Sequence, residues 1–156
     1  MARLTRELTI DRPAEEVFDA IADFSTAQDW DPGVASATAT SQPPVGAGAR
    51  FDLALRMGPL TPTFTYVTDH YERPRRVRHR TDHPVAIGVD DITVTAISDT
   101  TCLVGWSATF ELRGPLGLFD RALQVGFERV ADAAVDGLEA WLRNGGRARH
   151  QPAVRQ

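Results

Sequence analysis

Apolar and polar residues follow two different spacings in the first part of the chain. Residues 3–10 alternate with a period of two, which predicts a strand. Residues 14–22 carry apolar side chains at helical spacing directly after Pro13, and this combination predicts a helix. Ser25 and Gln28 then have the spacing of a capping box, which predicts a second, very short helix. We therefore expect the fold to begin with a strand followed by two short helices.

From Val34 to Leu112 the apolar positions return to a period of two, and short segments rich in proline, glycine and aspartate interrupt the pattern. Residues 51–57 and 104–112 show the alternation best, since every second side chain in them is apolar. Strands with one apolar and one polar face are typical of antiparallel sheets that cover a core on one side. The middle of the chain is thus predicted to form such a sheet.

The last third of the chain predicts one long amphipathic helix from Leu116 to Arg143, without proline and with apolar residues at steps of three or four. Asn144-Gly145-Gly146 is a typical stop signal. A curved sheet with one apolar face can bury such a helix in its concavity. We therefore expect an α+β fold in which about seven antiparallel strands wrap around the C-terminal helix. Residues 1–146 would form one domain, and residues 147–156 a polar, mobile tail.

Composition removes several classes of protein. The 156 residues are 42% hydrophobic and 24% charged, which suits one domain with a core. No apolar run approaches the roughly 20 residues that cross a bilayer, and no secretory signal is visible. We therefore expect no membrane span and a cytoplasmic location. All 17 basic residues are arginine, against 21 acidic residues, and the net charge of −4 argues against binding of DNA.

Four motifs occur in a fixed order along the chain. They are Ile10–Phe18 with Ala22–Phe24, Trp30–Val34, Tyr71–Val77 and Phe110–Leu116. In this order and spacing the sequence resembles the START-like superfamily, and the likeness covers nearly all of residues 2–143. It implies the helix-grip (START/Bet v 1-like) fold and is closest to the polyketide cyclase/dehydrase and lipid-transport group. Tyr71–Val77 looks like the Pro-Pro-Arg-Arg turn of that group, with Arg73 in place of the first proline.

The resemblance also implies a range of functions, because the fold alone does not choose among them. We expect a small hydrophobic or aromatic ligand, such as a polyketide, a lipid or an isoprenoid, in a cavity between the sheet and the long helix. Cyclase or dehydratase activity is one alternative, and a lipid or quinone carrier without any reaction is another. We expect no cofactor. The side chains predicted to line the cavity are Phe24, Trp30, Phe51, Leu53, Leu55, Val94, Trp106, Phe110, Leu116, Phe119, Leu123 and Phe127.

Three polar residues are candidates for chemistry in that cavity. His79 shares its parity with Val77 and Thr81, and an imidazole with a pKa of about 6.5 suits proton transfer, although a core histidine bonded to a neighbour has the same pattern. Asp90 has inward parity, where a carboxyl group would be neutral, paired with an arginine, or a base of raised pKa. Tyr66 could donate to a ligand carbonyl, but the pattern around it leaves either face of its strand open to burial.

An arginine-rich strand offers an alternative that needs no cavity. Arg76, Arg78 and Arg80 are predicted to project from one outer face, where they could bind RNA, a ribosome or an acidic protein. The same pattern is typical of a solvated strand. The histidines lack the spacing of a metal site, and we expect no bound metal. The sequence leaves the oligomeric state open between monomer and homodimer.

Overall fold

The computed structural model describes residues 2–154, with the side chains of Asp120, Ala122 and Leu123 outside the described part. The strands in this part are β1 (Ala2–Ile10), β2 (Val34–Ala39), β3 (Arg50–Leu55), β4 (Thr63–Glu72), β5 (Arg76–His83), β6 (Ala86–Ser98) and β7 (Thr101–Leu112). The α-helices are α1 (Ala14–Ala22), α2 (Ala27–Trp30) and α3 (Asp120–Arg143). Two 3₁₀ turns occupy Phe24–Thr26 and Gly114–Phe119.

The described strands form one curved antiparallel sheet in the order β1-β7-β6-β5-β4-β3-β2. Strand β7 shows why the alternating pattern leads to this sheet. It buries every second residue from Cys102 to Phe110 and leaves the residues between them partly exposed. Helix α3 packs along β1 and against α2. The predicted α+β class, with a sheet wrapped around a C-terminal helix, is therefore confirmed.

A bulge in β4 resolves which face of that strand is buried. Phe64, Tyr66 and Thr68 are buried at alternate positions, and the register with β5 shifts between Thr68 and His70. The inserted residue brings Tyr71, which has the opposite parity, to the same buried side. The sequence pattern is ambiguous here because it contains this extra residue.

Two helix starts differ from those predicted. Asp23, rather than Ser25, caps the first 3₁₀ turn, since its carboxylate accepts from the Ser25 backbone N–H at 3.2 Å and from the Ser25 hydroxyl at 2.6 Å. The long helix begins at Asp120 rather than Leu116, because a 3₁₀ turn with Gly114 at a φ of 63° precedes it. The glycines and proline of that turn are poor helix formers, which explains the late start.

Helix α3 closes onto its neighbours at one end and stands away from them at the other. Near its C-terminus, Gly137 lies against the Trp30 carbonyl of α2, and a Cβ atom at this position would overlap that oxygen. Nearer the N-terminus, a Cβ atom on Gly126 would meet no described atom of another element within 4 Å. The buried residues of the helix include Ala131, Ala134, Val135, Leu138 and Leu142. The N-terminal half of α3 therefore leaves space above the sheet.

Residues 149–153 are packed against the domain, which differs from the mobile tail predicted for residues 147–156. The backbone N–H groups of Arg149 and His150 both donate to the buried carboxylate of Asp23 at 2.8 Å. Ala153 is buried, and its carbonyl accepts from the Tyr71 hydroxyl at 2.6 Å. A buried carboxylate needs hydrogen-bond donors, and the tail backbone supplies them. The polarity of the tail does not reveal these long-range contacts.

Candidate functional site

A cavity of about 400 Å³ lies between the concave face of the sheet, α2 and the N-terminal half of α3. Its walls are mostly apolar. Its aromatic side chains are Phe24, Trp30, Tyr66, Trp106, Phe110 and Phe127. Arg56, Gly58 and Val130 also line the cavity and are exposed, so the mouth lies between the β3–β4 connection and α3.

Small residues keep this space open. Gly126, Ala131 and Ala134 of α3 border the cavity, where longer aliphatic side chains would fill it. On the sheet, Gly88 makes room for the Tyr66 hydroxyl, which lies 3.1 Å from the point that a Cβ atom on Gly88 would occupy. Protein interiors seldom leave voids much larger than a water molecule. A hollow of this size therefore points to a binding function rather than to imperfect packing.

Asp90 is an acidic group in these apolar surroundings. It lies on β6 opposite Ala108 of β7, and the indole Nε1–H of Trp106 donates to its Oδ1 at 3.0 Å. Burial raises the pKa of Asp90 to about 7; the Trp106 hydrogen bond acts in the opposite direction, and the negative charge of Asp31 adds to the rise. The carboxyl group can thus take up or release a proton near neutral pH, as a general acid or base must.

Tyr66 faces the cavity from β4, so the ambiguity of its strand is resolved in favour of the inward position. Tyr66 is 4% exposed, and its ring lies edge-to-face on Phe24 with 5.2 Å between the ring centroids. The hydroxyl has no hydrogen-bond partner among the residues that the structure describes, which leaves its donor free for a ligand oxygen. Burial and the charges of Asp90 and Asp31 raise the pKa of Tyr66, so the hydroxyl stays protonated.

Asp31 is a second acid at the cavity, and the sequence did not mark it as a site residue. It follows α2, and its Oδ1 accepts from the Gly33 N–H at 2.8 Å. Burial raises the pKa of Asp31 to about 6, while that hydrogen bond and the charge of Arg56 act to lower it. Asp31 falls within the motif Trp30–Val34, but an aspartate two residues before a glycine is equally typical of a turn.

His79 lies beside the cavity but is not one of its described lining residues. Its ring is fully buried and stacked on Phe24 with 4.3 Å between centroids, and its Nδ1 lies 3.0 Å from the Thr68 hydroxyl oxygen. Burial lowers the pKa of His79 to about 3, so the imidazole stays neutral. The Nδ1 contact matches a core histidine bonded to a neighbour, whereas Nε2 is buried without a hydrogen-bond partner among the described residues. A catalytic role for His79 stays a prediction.

The predicted lining residues divide into those that border the cavity and those that do not. The first group comprises Phe24, Trp30, Leu53, Leu55, Trp106, Phe110 and Phe127. Phe51 and Val94 are buried in the core instead. Leu116 and Phe119 are exposed in the 3₁₀ turn before α3, so their predicted inward position was wrong. The side chain of Leu123 lies outside the described residues. Contact of any of these residues with a ligand stays a prediction.

The outer face of β5 carries the predicted arginines, but acidic neighbours bind two of them. Arg76 makes a bidentate pair with Asp91 at 2.7 and 3.0 Å, and Arg78 Nε lies 2.7 Å from an oxygen of Asp69. Arg80 is exposed. Because carboxylates on adjacent strands offset these guanidinium charges, the face offers less positive potential to RNA than the sequence suggests.

Three further observations concern metal binding, membrane crossing and the single cysteine. Within residues 2–154, no group of three or more His, Cys, Asp or Glu side chains is placed to hold a metal ion. None of the described helices is both long and apolar enough to cross a membrane. Cys102 is buried, and burial raises the pKa of its thiol, which is therefore a core group rather than an activated nucleophile.

Solved structures share this architecture at low sequence identity. The ZhuI aromatase/cyclase from Streptomyces sp. R1128 is 17% identical with a TM-score of 0.73, over 94% of this chain and 96% of that chain. A START superfamily protein from Mycobacterium smegmatis is 11% identical with a TM-score of 0.69, over 91% and 99%. A norcoclaurine synthase point mutant from Thalictrum flavum, in complex with a transition-state analogue, is 12% identical with a TM-score of 0.64, over 91% and 94%. These likenesses show the fold.

The family is established by the sequence over almost its full length. No curated protein matches the chain significantly. The family model described as polyketide cyclase/dehydrase and lipid transport matches residues 1–143, which include the cavity walls and α3. The resemblance carried by the four motifs is thereby confirmed, and the chain belongs to the polyketide cyclase/dehydrase and lipid transport family.

Proposed function

We propose that the protein binds a small hydrophobic or aromatic ligand of polyketide type in the cavity between the sheet and α3. The observation that carries this proposal is an aromatic-walled space of about 400 Å³ that Tyr66 and Asp90 face. Ligand pockets have volumes of about 300 to 1,000 Å³ and are mostly apolar, with a few polar groups that orient the ligand. Membership of the family supports the same function.

Proton transfer is the reaction that these polar groups support, and it makes a cyclase/dehydratase activity the second candidate function. Asp90, with a pKa of about 7, would take a proton from the carbon beside a ketone, while Tyr66 would donate a hydrogen bond to the enolate oxygen. The enolate carbon would attack a second carbonyl of the same molecule, and the proton on Asp90 would pass to the new alkoxide. Loss of water from this aldol product would leave an unsaturated ring.

Native mass spectrometry of the freshly purified protein tests the binding proposal. We expect an apolar molecule to travel with the protein, and extraction then identifies its chemical class. Uptake of 2-acetylnaphthalene gives an affinity through tryptophan emission, because Trp30 and Trp106 both line the cavity with 5.8 Å between ring centroids. A bound molecule that is never converted would favour a carrier over an enzyme.

Two leucine substitutions on adjacent residues of α3 provide a matched comparison. Ala134→Leu enlarges a buried wall of the cavity, whereas Ala133→Leu enlarges the exposed face of the same helix turn. We expect Ala134→Leu to weaken uptake of the probe by about ten-fold or more, and Ala133→Leu to leave it unchanged. Equal affinities in wild type and both variants would contradict binding in the cavity. RNA that co-purifies and is lost with salt would direct attention to the outer arginine face.

Turnover is tested with a linear polyketone. Mass spectrometry detects the loss of one water per molecule when a ring closes and dehydrates. We expect this loss with the wild type and a rate lower by about a hundred-fold or more with Asp90→Asn, since general-base catalysis typically contributes that much. An equal rate in the two proteins would contradict the role of Asp90 while leaving the binding proposal intact.

A further inference from the structure

Two carboxyl groups face the cavity without a matching positive charge inside it. Asp31 borders it from the connection between α2 and β2, and Asp90 borders it from β6. Arg56 is the only basic residue among the described lining residues, and it is exposed at the mouth. Its guanidinium donates to the Pro32 carbonyl at 2.6 Å. An anionic ligand inside the cavity would therefore meet two acids and no buried cation.

The two carboxyl groups and the Tyr66 hydroxyl share one electrostatic environment. Burial is the main cause of the raised pKa of Asp90 and of Tyr66, and the charge of Asp31 raises both further. Ionisation of a second protein group in this space is thus disfavoured once Asp31 is ionised. The same cost applies to a negative charge on a ligand, because apolar walls screen it poorly.

The Tyr66 hydroxyl is an independent sign that a ligand oxygen belongs here. Tyr66 is 4% exposed and borders the cavity, and its hydroxyl has no partner among the described residues. Tyr66 lines the cavity, so a ligand oxygen bound there can accept from this free O–H. The group is also a donor beside two acids, so it can serve a carbonyl oxygen where the acids would repel a carboxylate.

We infer that Asp31 and Asp90 select the charge of the ligand, so that the cavity accepts an uncharged carbonyl compound bonded to Tyr66 and rejects carboxylates. The inference rests on the proposed binding function and adds the chemical class of the ligand. Such a cavity would distinguish neutral ketones and quinones from fatty acids and polyketide acids, although these compounds have similar apolar surfaces. Asp31, at the entrance side of the site, becomes a specificity-determining residue.

Titration calorimetry with two probes of similar shape tests the inference. The ketone is 2-acetylnaphthalene, and the anion is 2-naphthoate, both measured at about pH 8, where the carboxyl groups of protein and probe are ionised. We expect the ketone to bind the wild type more tightly than the anion by about ten-fold or more. In the double variant Asp31→Asn with Asp90→Asn, the anion should regain most of that difference. The asparagine oxygens can still accept from Gly33 N–H and Trp106 Nε1–H, so the cavity keeps its shape.

Asp91→Asn is the matched control, because Asp91 is the neighbour of Asp90 but pairs with Arg76 outside the cavity. It should leave the ratio of the two affinities unchanged. Equal binding of both probes by the wild type, or an unchanged ratio in the double variant, would overturn the inference while the ketone still binds. Binding of neither probe would overturn the proposed function, and the inference would fall with it.

A measurement on the wild type alone covers the case in which the double variant does not fold. Between about pH 8 and about pH 5.5 the probe carboxylate stays ionised, since aromatic acids titrate near pH 4. Asp90 and Asp31, with pKa values of about 7 and about 6, become protonated over this range. The affinity for 2-naphthoate should therefore rise relative to that for the ketone as the pH falls. A constant ratio would contradict charge selection by these residues.

Discussion

Two polar residues that lie side by side on neighbouring strands have different surroundings. His79 of β5 and Asp90 of β6 are register partners. His79 is stacked on Phe24 and lies 3.0 Å from the Thr68 hydroxyl, whereas Asp90 borders open space with Trp106 as its hydrogen-bond donor. Burial lowers the pKa of His79 to about 3 and raises that of Asp90 to about 7. The uncharged form is favoured in both residues, yet of the two only Asp90 borders the cavity.

A shifted pKa therefore does not identify a functional residue unless the group also has access to a ligand site. One part of the concave face is filled by rings around His79, among them Phe24 and Phe51. The other part is hollow because α3 approaches closely only at Gly137, whereas Gly126, Ala131 and Ala134 leave space beside Phe127 and Val130 farther toward its N-terminus. The sheet is continuous, and the difference comes from what covers it.

The largest expected effect comes from the close contact of α3. Gly137→Ala should cost about 3 kcal/mol of unfolding free energy, because the new Cβ atom overlaps a backbone oxygen that cannot move aside. Gly126→Ala is the control on the same helix, and it should gain up to about 1 kcal/mol from helix propensity. Urea denaturation measures both. A stabilised Gly137→Ala protein would show that α3 does not dock as described.

Alanine and asparagine substitutions test the contrast between the two register partners. His79→Ala should cost about 1 to 3 kcal/mol, because it leaves a gap under Phe24 and removes the partner of the Thr68 hydroxyl. Asp90→Asn should keep or raise stability, because it removes a carboxyl group whose ionisation burial disfavours. Urea denaturation near neutral pH compares the two. Similar losses in both variants would place Asp90 in the structural core with His79.

The pH dependence of stability should show the two residues acting in opposite directions. Asp90 has a raised pKa in the fold, so the folded state binds the extra proton and stability falls as the pH rises from 3.8 to about 7. His79 has a lowered pKa, so the unfolded state binds the extra proton and stability rises between about 3 and 6.5. Asp90→Asn should therefore give a steeper rise up to pH 6.5 than the wild type. Identical slopes in urea denaturation would contradict the raised pKa of Asp90.

The smallest expected effect concerns a single hydroxyl. Tyr66→Phe should weaken binding of 2-acetylnaphthalene by about five-fold, equivalent to one hydrogen bond of about 1 kcal/mol, without loss of stability. Tyr71→Phe provides the control, since its hydroxyl donates to the Ala153 carbonyl at 2.6 Å. That variant should lose stability and keep its affinity. Tryptophan emission and urea denaturation separate the two outcomes.

Much of the fold could be predicted because strands and helices leave a periodic trace in the sequence. The helix over residues 14–22 and the alternating strands follow directly from that trace. The predicted start of α3 was too early, because apolar Leu116 and Phe119 have helical spacing although the chain forms a 3₁₀ turn there. The bulge before His70 interrupted the period of two, so the inward position of Tyr66 required the structure.

The candidate site was less predictable, because it depends on contacts between distant parts of the chain. Asp90 could be proposed from its inward parity alone, but the same parity also favoured His79. The His79 ring is stacked on Phe24 and its Nδ1 contacts the Thr68 hydroxyl, and the sequence pattern does not show these contacts. Asp31 lies in a turn, where an aspartate has local reasons to occur. Its position at the cavity depends on how α2 meets α3. No local pattern contains that information.

A crystal structure of the protein with 2-acetylnaphthalene would show whether the ligand occupies the cavity. We expect the naphthyl group between the sheet and α3, among Trp30, Trp106 and Phe127, with the ketone oxygen about 3 Å from the Tyr66 hydroxyl. The Asp90 carboxyl group would lie beside the carbon next to that ketone. A probe bound on the outer face of β5, or a cavity that stays unfilled while the probe binds elsewhere, would contradict ligand binding between the sheet and α3.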